Sequence, residues 1–576
     1  MKGIWVAIIA ALFIMPVNLS FDDKIAKETF VFQEPKIVVG NDLKILMENA
    51  SYIRKPNEPV IPFYKKIYIL PFKSTVNIRC RVSEIKEMPI DKEIRKAKQF
   101  FVCKWDKEER SVARENRKGH SWYSWRMAAG IKDGKLVNYL IINFYPVRCE
   151  EDKIVFAKKY EVEIRYRVAK YEDKDSYELL IICPWEYKFA FNKLATYKEQ
   201  HGIKSIVVSL NEIRGGKYFT TQGRDNAEKI KYFIKNAVEE WGIKYVLLVG
   251  DIFRLPSRKV YAYEGSEEYF LSDLYYADVF NADGSFSSWD TNGNGYYGEY
   301  NHSGNKDIID LYPDVYVGRL PCRNFIEALF LVHKIINYME MEKGEWFKRF
   351  ITVAGDSFDD SFWGTDYIEG EITVAESIKY MAGFKPVKIW ASLGNLSKEN
   401  IIKELSKGAG FVQFEGHGNY LSWATHPLHD YGTWIGISVS DMPKIKNYGK
   451  PFVSIIGGCH CSQIGMIYEC FAYRLLRKPG GAIASIGFTS LSWGADDDVN
   501  GNGEPDIIEY ASGYIDLLFF KHYGMGTYVL GEIWGNAITE YLNSSPVEWN
   551  DAFLDIWDAK TVEAWLLIGD PSLNLQ

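Results

Sequence analysis

From Tyr177 to the C-terminus, short apolar runs alternate with longer amphipathic segments, and this alternation constrains the fold more than any other feature. Runs of about five apolar residues are typical of buried parallel strands, and the segments between them have the length and period of helices. The pattern predicts parallel sheets with helices on both faces. We expect strands at 178–183, 205–210, 245–250, 314–318, 350–355, 387–391, 410–415, 452–457 and 481–486.

Helices are expected in the intervals between these strands. Asp225 is suited to cap the N-terminus of one helix, and Gly242 to end it. The long helix at 323–343 predicts a junction between two side-by-side α/β subdomains, residues 177–345 and 346–576. The full set of expected helices is 187–201, 225–241, 323–343, 370–382, 397–407 and 467–477.

The chain before this region has a different texture. Residues 21–170 contain no long helical period, and they include β-branched and aromatic runs separated by polar turns, which predicts an all-β domain, as a sandwich. Residues 1–20 carry Lys2, an apolar run and then small polar residues, which is the pattern of a signal peptide. A retained N-terminal anchor is the alternative. We therefore expect a secreted or cell-surface protein whose mature form does not span a membrane.

Composition excludes some functions. A chain of 576 residues is too long for one core, and 47% apolar residues is an ordinary globular value. The formal net charge of −7 gives no basic footprint for nucleic acid.

Two of the expected strands end in glycine-rich turns that carry reactive side chains. His417 follows FVQFE, and Cys459 follows FVSII. Reactive residues of parallel sheets collect beyond the carboxyl ends of the strands, so these two are expected to meet on adjacent strands. A thiol paired with an imidazole is the working part of a cysteine hydrolase. The backbone N–H groups of Gly418 and Cys459 are natural donors to an oxyanion.

The order of strand, His-Gly, spacer, strand, small residue and Cys resembles the caspase, legumain and gingipain clan of cysteine peptidases, and the wider chain is similar to the gingipain family. The similarity runs from about residue 177 to the end, through KYVLLVGD, PDVYVGRLPC, EGHG, GGC and LLIGDPSL. It implies a caspase-like fold, protein or peptide substrates, and Cys459 rather than Cys461 as nucleophile. It also implies that the N-terminal domain is a prosegment that covers the active site until it is cut; a structural or adhesive module is the alternative.

The resemblance also suggests roles for three further residues. Asp356 stands where the family has an acidic residue that orients the histidine. Trp493 stands where the family has an aromatic wall of the substrate pocket, and a core tryptophan is the alternative. Glu369 lies near the position of the acid at the pocket floor, but the register does not carry specificity for Arg or Lys to this chain.

Two segments predict calcium sites. The first follows the twelve-residue pattern D-x-[DN]-x-[DN]-G-x₅-E, which supplies oxygen ligands to Ca²⁺. The second segment, which begins at Asp290, repeats the first positions of this pattern. Glu299 would take the place of the final acid in this segment, with altered geometry. Turns rich in Asp and Asn without metal are the alternative. The expected ligands are Asp498, Asn500, Asn502 and Glu509 in the first loop and Asp290, Asn292, Asn294 and Glu299 in the second.

The sequence therefore predicts a secreted cysteine endopeptidase with a Cys-His dyad, made as a zymogen, with structural calcium and no organic cofactor. Three alternatives stay open. Zinc on Cys459, Cys461 and nearby histidines would make the thiol a ligand, although the spacing is not a familiar zinc motif. A catalytically inactive calcium-stabilised binding module would keep the fold alone. A transpeptidase would use the same dyad with an amine in place of water.

Overall fold

The computed structural model describes most of the chain: residues 24–98, 100–102, 121–150, 152–169, 171–172, 174–359, 366–495, 497–498, 500–549 and 555–576. The predicted signal peptide at 1–20 lies outside these residues. Within the described ranges, no helix is both long enough and apolar enough to cross a bilayer.

The N-terminal part of the described chain is an all-β domain, as predicted. Two four-stranded sheets share one core, in which Phe144 of one sheet packs edge-on against Tyr160 of the other at 5.4 Å between ring centroids. The strands up to residue 167 are Lys24–Val31 (β1), Lys36–Val39 (β2), Leu43–Leu46 (β3), Ser51–Ile53 (β4), Ile61–Pro71 (β5), Thr75–Pro89 (β6), Phe101–Val102 (β7), Tyr123–Lys132 (β8), Lys135–Phe144 (β9), Val147–Cys149 (β10) and Lys153–Arg167 (β11).

The rest of the described chain is built on one ten-stranded sheet. Its strands are Leu179–Cys183 (β12), Ser205–Ser209 (β13), Tyr245–Val249 (β14), Tyr316–Leu320 (β19), Arg349–Ala354 (β20), Lys385–Trp390 (β21), Phe411–Glu415 (β22), Phe452–Gly457 (β26), Ala482–Phe488 (β27) and Trp565–Ile568 (β29). Short strands outside it are Arg258–Val260 (β15), Phe270–Ser272 (β16), Tyr300–His302 (β17), Asn305–Lys306 (β18), His417–Asn419 (β23), Ser422–Thr425 (β24), Ile435–Ser438 (β25) and Trp493–Gly494 (β28).

The spatial order of the large sheet is β13-β12-β14-β19-β29-β27-β26-β22-β20-β21. The predicted strands are present, and the α/β class is confirmed. The expectation of purely parallel pairing needs one correction, because β29 pairs parallel with β19 but antiparallel with β27. The strands of the two halves therefore run in opposite directions within one continuous sheet. The four-residue run of β29 was too short to be predicted as a strand.

The helices fill the intervals between strands. For Asn226–Trp241 the predicted cap is confirmed, because Asp225 accepts the backbone N–H of Glu228 and Gly242 ends the helix at φ 82°. The α-helices are Lys188–Gln200 (α1), Leu210–Arg214 (α2), Asn226–Trp241 (α3), Leu274–Ala277 (α4), Phe325–Glu340 (α5), Glu369–Tyr380 (α6), Lys398–Ser406 (α7), Phe471–Arg477 (α8), Ala511–Gly524 (α9), Leu530–Ser544 (α10) and Ile556–Ala564 (α11).

The all-β domain is docked on the α/β region through buried ionic and backbone contacts. Arg54 Nε donates to Asp506 Oδ2 at 2.9 Å, and both side chains are fully buried. Arg95 forms a second ion pair with Asp497 at 2.7 Å. Strand β7 pairs antiparallel with β28. The N-terminal domain thus forms a two-stranded antiparallel sheet with the short strand that contains Trp493.

Candidate active site

The predicted reactive residues lie beyond the ends of two neighbouring strands. Strands β22 and β26 pair in parallel with Glu415 opposite Gly457. His417 and Cys459 each lie two residues past that pair. The turns that carry them are in backbone contact, because a Cβ on Gly458 would lie 2.9 Å from the carbonyl carbon of His417.

Gly418 makes the same close approach from the other turn. A Cβ there would lie 2.7 Å from the carbonyl oxygen of Cys459 and would collide with Cys461 Sγ. Only glycine fits at these two positions without displacing the opposite turn. The predicted meeting of the His-Gly and Gly-Cys turns, with both oxyanion candidates, is thus present in the backbone.

Cys459 is fully buried in this arrangement. Its Sγ accepts the backbone N–H of Ser492 at 3.2 Å, and the Ser492 hydroxyl lies 3.7 Å away. Burial raises the pKa of the Cys459 thiol to about 12, although the hydrogen bonds from Ser492 act in the opposite direction. The thiol is therefore protonated at neutral pH in this form.

His417 is buried and held by a backbone group. Its Nε2 lies 2.6 Å from the carbonyl oxygen of Ser357. A carbonyl only accepts, so Nε2 carries the hydrogen, and Nδ1 is the acceptor nitrogen of the neutral imidazole. The ring also packs edge-on against Phe358 and Trp434, at 5.6 Å and 5.2 Å between centroids.

Asp356, the residue predicted to orient the histidine, is buried directly beside this segment. Its Oδ2 accepts the backbone N–H of His429 at 2.8 Å and the hydroxyl of Tyr431 at 3.1 Å. The group that accepts from His417 Nε2 is the carbonyl of the next residue, Ser357. A backbone partner leaves no signal in side-chain types, so sequence reasoning missed it.

The two predicted pocket residues lie near different members of the predicted dyad, Glu369 at the segment that holds His417 and Trp493 next to the residue that contacts Cys459. Glu369 is 1% exposed, and its Oε2 accepts the backbone N–H groups of Ser357 at 3.0 Å and Phe358 at 3.3 Å. Trp493 follows Ser492 and is also 1% exposed, with its carbonyl accepting the Ser512 hydroxyl at 2.7 Å. The structure gives Glu369 a backbone-binding role that the sequence did not predict.

One known protein family matches the part of the chain that contains these residues. Residues 172–576, more than half of the chain, match the family described as Peptidase family C25.

The chain belongs to peptidase family C25.

Individual relatives of this family C25 chain are distant. Gingipain R2 of Porphyromonas gingivalis (strain ATCC BAA-308 / W83) is 22% identical over 432 residues, which cover 72% of this chain and 48% of that protein. Lys-gingipain of Porphyromonas gingivalis (strain ATCC 33277) is 23% identical over 326 residues, which cover 55% and 16%. The chain thus spans about half the length of the first relative and less of the second.

The chain is also similar to two solved structures, both with a TM-score below 0.5. The crystal structure of the Arg specific cysteine proteinase gingipain R has a TM-score of 0.49 and 18% identity, covering 71% of this chain and 80% of that one. The complex of Porphyromonas gingivalis RgpB pro- and mature domains has a TM-score of 0.48 and 19% identity, covering 69% and 79%.

The first predicted calcium loop of the family C25 chain is folded as a series of Asx turns. The N–H of Asn502 donates to Asn500 Oδ1 at 2.9 Å, and the N–H of Gly503 donates to Asp498 Oδ2 at 3.3 Å. The side-chain amides of both asparagines donate to Glu509, at 2.8 Å and 2.6 Å. The acid at position 12 therefore already faces positions 3 and 5.

The second predicted loop repeats the same contacts. Asn294 N–H donates to Asn292 Oδ1 at 3.0 Å, and Gly295 N–H donates to Asp290 Oδ2 at 3.2 Å. Both asparagine amides donate to Glu299 Oε2, at 2.7 Å and 2.6 Å. Glu299 thus accepts from both asparagines of this loop, at a position two residues earlier than that of Glu509 in the first loop.

The zinc alternative depended on soft ligands around Cys459. Across the described ranges, no three His, Cys, Asp or Glu side chains converge in a metal-binding group. Cys461 Sγ instead lies 3.7 Å from the carbonyl oxygen of Ser422. The residues proposed for zinc are therefore not arranged as a zinc site.

A pair of buried acids lies beside Gly457, at the end of the strand that leads to Cys459. A Cβ on Gly457 would collide with Glu415 Oε2 and lie 3.1 Å from Asp516 Oδ2, so both carboxyls converge there. Burial, and then the charge of Asp516, raises the pKa of Glu415 well above its usual range. Burial raises the pKa of Asp516 to about 8. At least one carboxyl of the pair is therefore protonated at neutral pH.

This pair predicts a stability loss at high pH. Because the pKa of Asp516 is about 8 in the folded chain, the folded chain binds more protons than the unfolded chain above about pH 4. The free energy of unfolding therefore falls as the pH rises from about 4 toward 8. Asp516→Asn keeps an acceptor for the Trp565 indole N–H, which Asp516 Oδ1 binds at 2.8 Å. We expect this variant to be more stable than the wild type by on the order of 2 kcal/mol at pH 8 and equally stable at pH 4.

The measurement is urea unfolding between pH 4 and pH 8. Asp441→Asn is the control of opposite sign: burial raises the pKa of Asp441, but hydrogen bonds from Lys444 and Ser438 outweigh it and lower the pKa to about 2. The Asp441 carboxylate therefore stabilises the fold at neutral pH, and its loss is expected to destabilise. Parallel pH curves for Asp516→Asn and the wild type would contradict the assignment.

Proposed function

We propose that this chain is a secreted cysteine endopeptidase that hydrolyses protein or peptide substrates with Cys459 and His417. The observation that carries the proposal is the backbone contact between the His417-Gly418 and Gly458-Cys459 turns at the ends of β22 and β26. The match to peptidase family C25 supports the reaction class. Export rests on the signal-peptide pattern of residues 1–20.

The proposed reaction follows from the two side chains. His417 accepts the proton of the Cys459 thiol, and the thiolate attacks the substrate carbonyl carbon. The backbone N–H groups of Gly418 and Cys459 would bind the resulting oxyanion. His417 then returns the proton to the leaving amine as the C–N bond breaks. Water, deprotonated by His417, cleaves the thioester and releases the acid product.

We propose further that the N-terminal domain holds the enzyme as a zymogen. Strand β7 pairs with Trp493 and Gly494, immediately after Ser492, whose N–H binds the nucleophile. Addition of an extended strand to an exposed strand is a common mode of peptide binding. In this position the domain occupies the wall beside Cys459, and the buried, protonated thiol is consistent with a latent state.

Calcium is the proposed structural cofactor. Asp498 Oδ1 and Asp290 Oδ1 are buried without a hydrogen-bond partner. The other potential metal ligands in each loop are the oxygens of amide and carboxylate groups. This oxygen-rich set fits Ca²⁺. Asp498, Asn500, Asn502 and Glu509 would hold one ion, and Asp290, Asn292, Asn294 and Glu299 the other. A half-turn of each asparagine amide would present its oxygen to the ion.

The nucleophile is tested by cleavage of a mixed peptide library after removal of the N-terminal domain. Cys459→Ala is expected to lower kcat/KM by about 10⁴-fold or more, and His417→Ala by about 10²- to 10⁴-fold, because both groups act in bond cleavage. Cys461→Ala is the matched control, since Cys461 is an equally buried thiol two residues away. Unchanged cleavage by Cys459→Ala, or loss only in Cys461→Ala, would overturn the proposal.

The proposed zymogen is tested at the buried ion pair between Arg54 and Asp506, which joins the N-terminal domain to the α/β region. Arg54→Met would remove the guanidinium that pairs with the buried Asp506 carboxylate, which costs about 3 kcal/mol or more. The chain is first cut in the charged segment VAKYEDKDSY, residues 168–177, which joins the two regions. We then expect the N-terminal domain of the variant to dissociate about 100-fold faster than that of the wild type. The dissociation rate is measured as the gain of peptidase activity.

Lys86→Met is the control for this experiment, because Lys86 and its partner Glu34 are 54% and 55% exposed and such pairs contribute little. Its release rate should equal that of the wild type. Equal release from Arg54→Met would show that this ion pair does not hold the domain.

Calcium binding is tested by isothermal titration of the full chain. Asp498→Asn removes one formal charge from the first loop and is expected to weaken that site about 10- to 100-fold, because ligand charge sets affinity. Asp366→Asn is the control, since Asp366 Oδ1 lies on an 88% exposed side chain. Absence of heat on adding Ca²⁺ to the wild type would refute the calcium assignment.

A further inference from the structure

One carboxylate and one peptide group form a continuous connection to the imidazole of His417. The Phe358 N–H donates to Glu369 Oε2 at 3.3 Å, and the carbonyl of the same peptide unit, that of Ser357, accepts from His417 Nε2 at 2.6 Å. The Ser357 N–H donates to the same Glu369 oxygen at 3.0 Å. The carboxylate therefore binds the far end of the amide that holds the histidine.

The fold fixes Glu369 at this point. It is the first residue of α6, where a negative charge is favoured by the helix dipole. Gly370 brings the start of the helix against the ends of β20 and β22, because a Cβ there would lie 2.8 Å from the carbonyl oxygens of both Gly355 and Glu415. The carboxylate is 1% exposed. It is thus a preorganised group and not a mobile surface acid.

We propose that Glu369 is the positioning residue of the catalytic histidine and acts through the 357–358 peptide group. This inference rests on the proposed function of His417. A carboxylate at the N–H end of an amide polarises it, so the carbonyl oxygen becomes a stronger acceptor for Nε2–H. The same polarisation stabilises the imidazolium that forms when His417 takes the thiol proton. Glu369 thus supplies the charge that an acid in direct contact supplies in a catalytic triad.

The position of Asp356 fits this division of roles. Its Oδ2 binds the backbone of His429 and the hydroxyl of Tyr431. Those contacts fix the loop that follows β24, whereas the contacts of Glu369 are made to the peptide that holds His417.

The test compares Glu369→Gln with Glu371→Gln in the full chain. Gln keeps an acceptor for the two N–H groups but removes the charge. Glu371 is the matched control, because it lies on the same turn of α6, is 6% exposed, and binds the Ser392 N–H at 2.8 Å, away from His417. The readout is nitrogen-15 NMR of histidine-labelled protein, with the His417 signal assigned from the His417→Gln spectrum.

We expect Glu369→Gln to lower the pKa of His417 by about one unit and Glu371→Gln to leave it unchanged, because only the first removes the relayed charge. The neutral form should carry its hydrogen on Nε2 in the wild type. In the activated enzyme, the acid limb of the pH profile of kcat/KM should lie about one pH unit lower in Glu369→Gln than in the wild type. The kcat of this variant should be lowered about 10-fold.

Two results would overturn the inference. Equal His417 pKa values in Glu369→Gln and Glu371→Gln would reduce Glu369 to a structural role. An unchanged acid limb with an altered preference for the residue at the cleaved bond would make Glu369 a pocket residue. If no variant and no wild type cleaves peptides, the proposed function fails, while the NMR titration still decides whether Glu369 acts on His417.

Discussion

The parallel pairing of β22 with β26 is the constraint on which the site depends. Its register sets Glu415 opposite Gly457 and so brings the next turns, His417-Gly418 and Gly458-Cys459, into backbone contact. A slip of one residue would turn every side chain to the other face of the sheet. Every residue of both strands is buried and most are apolar, which makes such a slip costly. Burial of the strands therefore positions the reactive groups beyond them.

The surroundings of the His417 imidazole and of the Cys459 thiol differ in the groups that contact them. On the histidine side, backbone N–H groups and one carboxylate surround the Ser357 peptide. On the cysteine side, a buried thiol with a raised pKa is held by Ser492. The N-terminal domain pairs with the strand that begins one residue later. In the proposed zymogen, the domain would lie beside a thiol whose pKa is raised by burial.

The sequence predicted the parts of the fold that have a clear period or length. Nine of the ten strands of the large sheet were found from apolar runs, and the caps of α3 from Asp225 and Gly242. Helices α9, α10 and α11 were not predicted. Helices α9 and α11 are buried on most sides and show little amphipathic period, whereas α10 has a clear amphipathic period that was overlooked. Strand β29 was missed although its motif was noted, and it joins the two halves of the sheet.

The site was predictable to the same extent. His417 and Cys459 follow strand ends, so their meeting could be inferred from topology. The Ser357 carbonyl could not, since every residue has one, and the backbone contacts of Glu369 depend on how α6 packs against β20 and β22. The pairing of β7 with β28 is equally non-local, joining residues about 390 positions apart. Sequence patterns identify reactive residues here, whereas tertiary packing decides what they contact.

The most direct measurement of the central claim is covalent trapping of the nucleophile by a peptidyl acyloxymethyl ketone, followed by peptide mapping of the labelled chain. The account predicts slow labelling while the N-terminal domain is attached, and one adduct per chain on Cys459 after its removal, with the rate reduced in His417→Ala. An adduct on Cys461, or no adduct on an otherwise folded chain without the N-terminal domain, would contradict it.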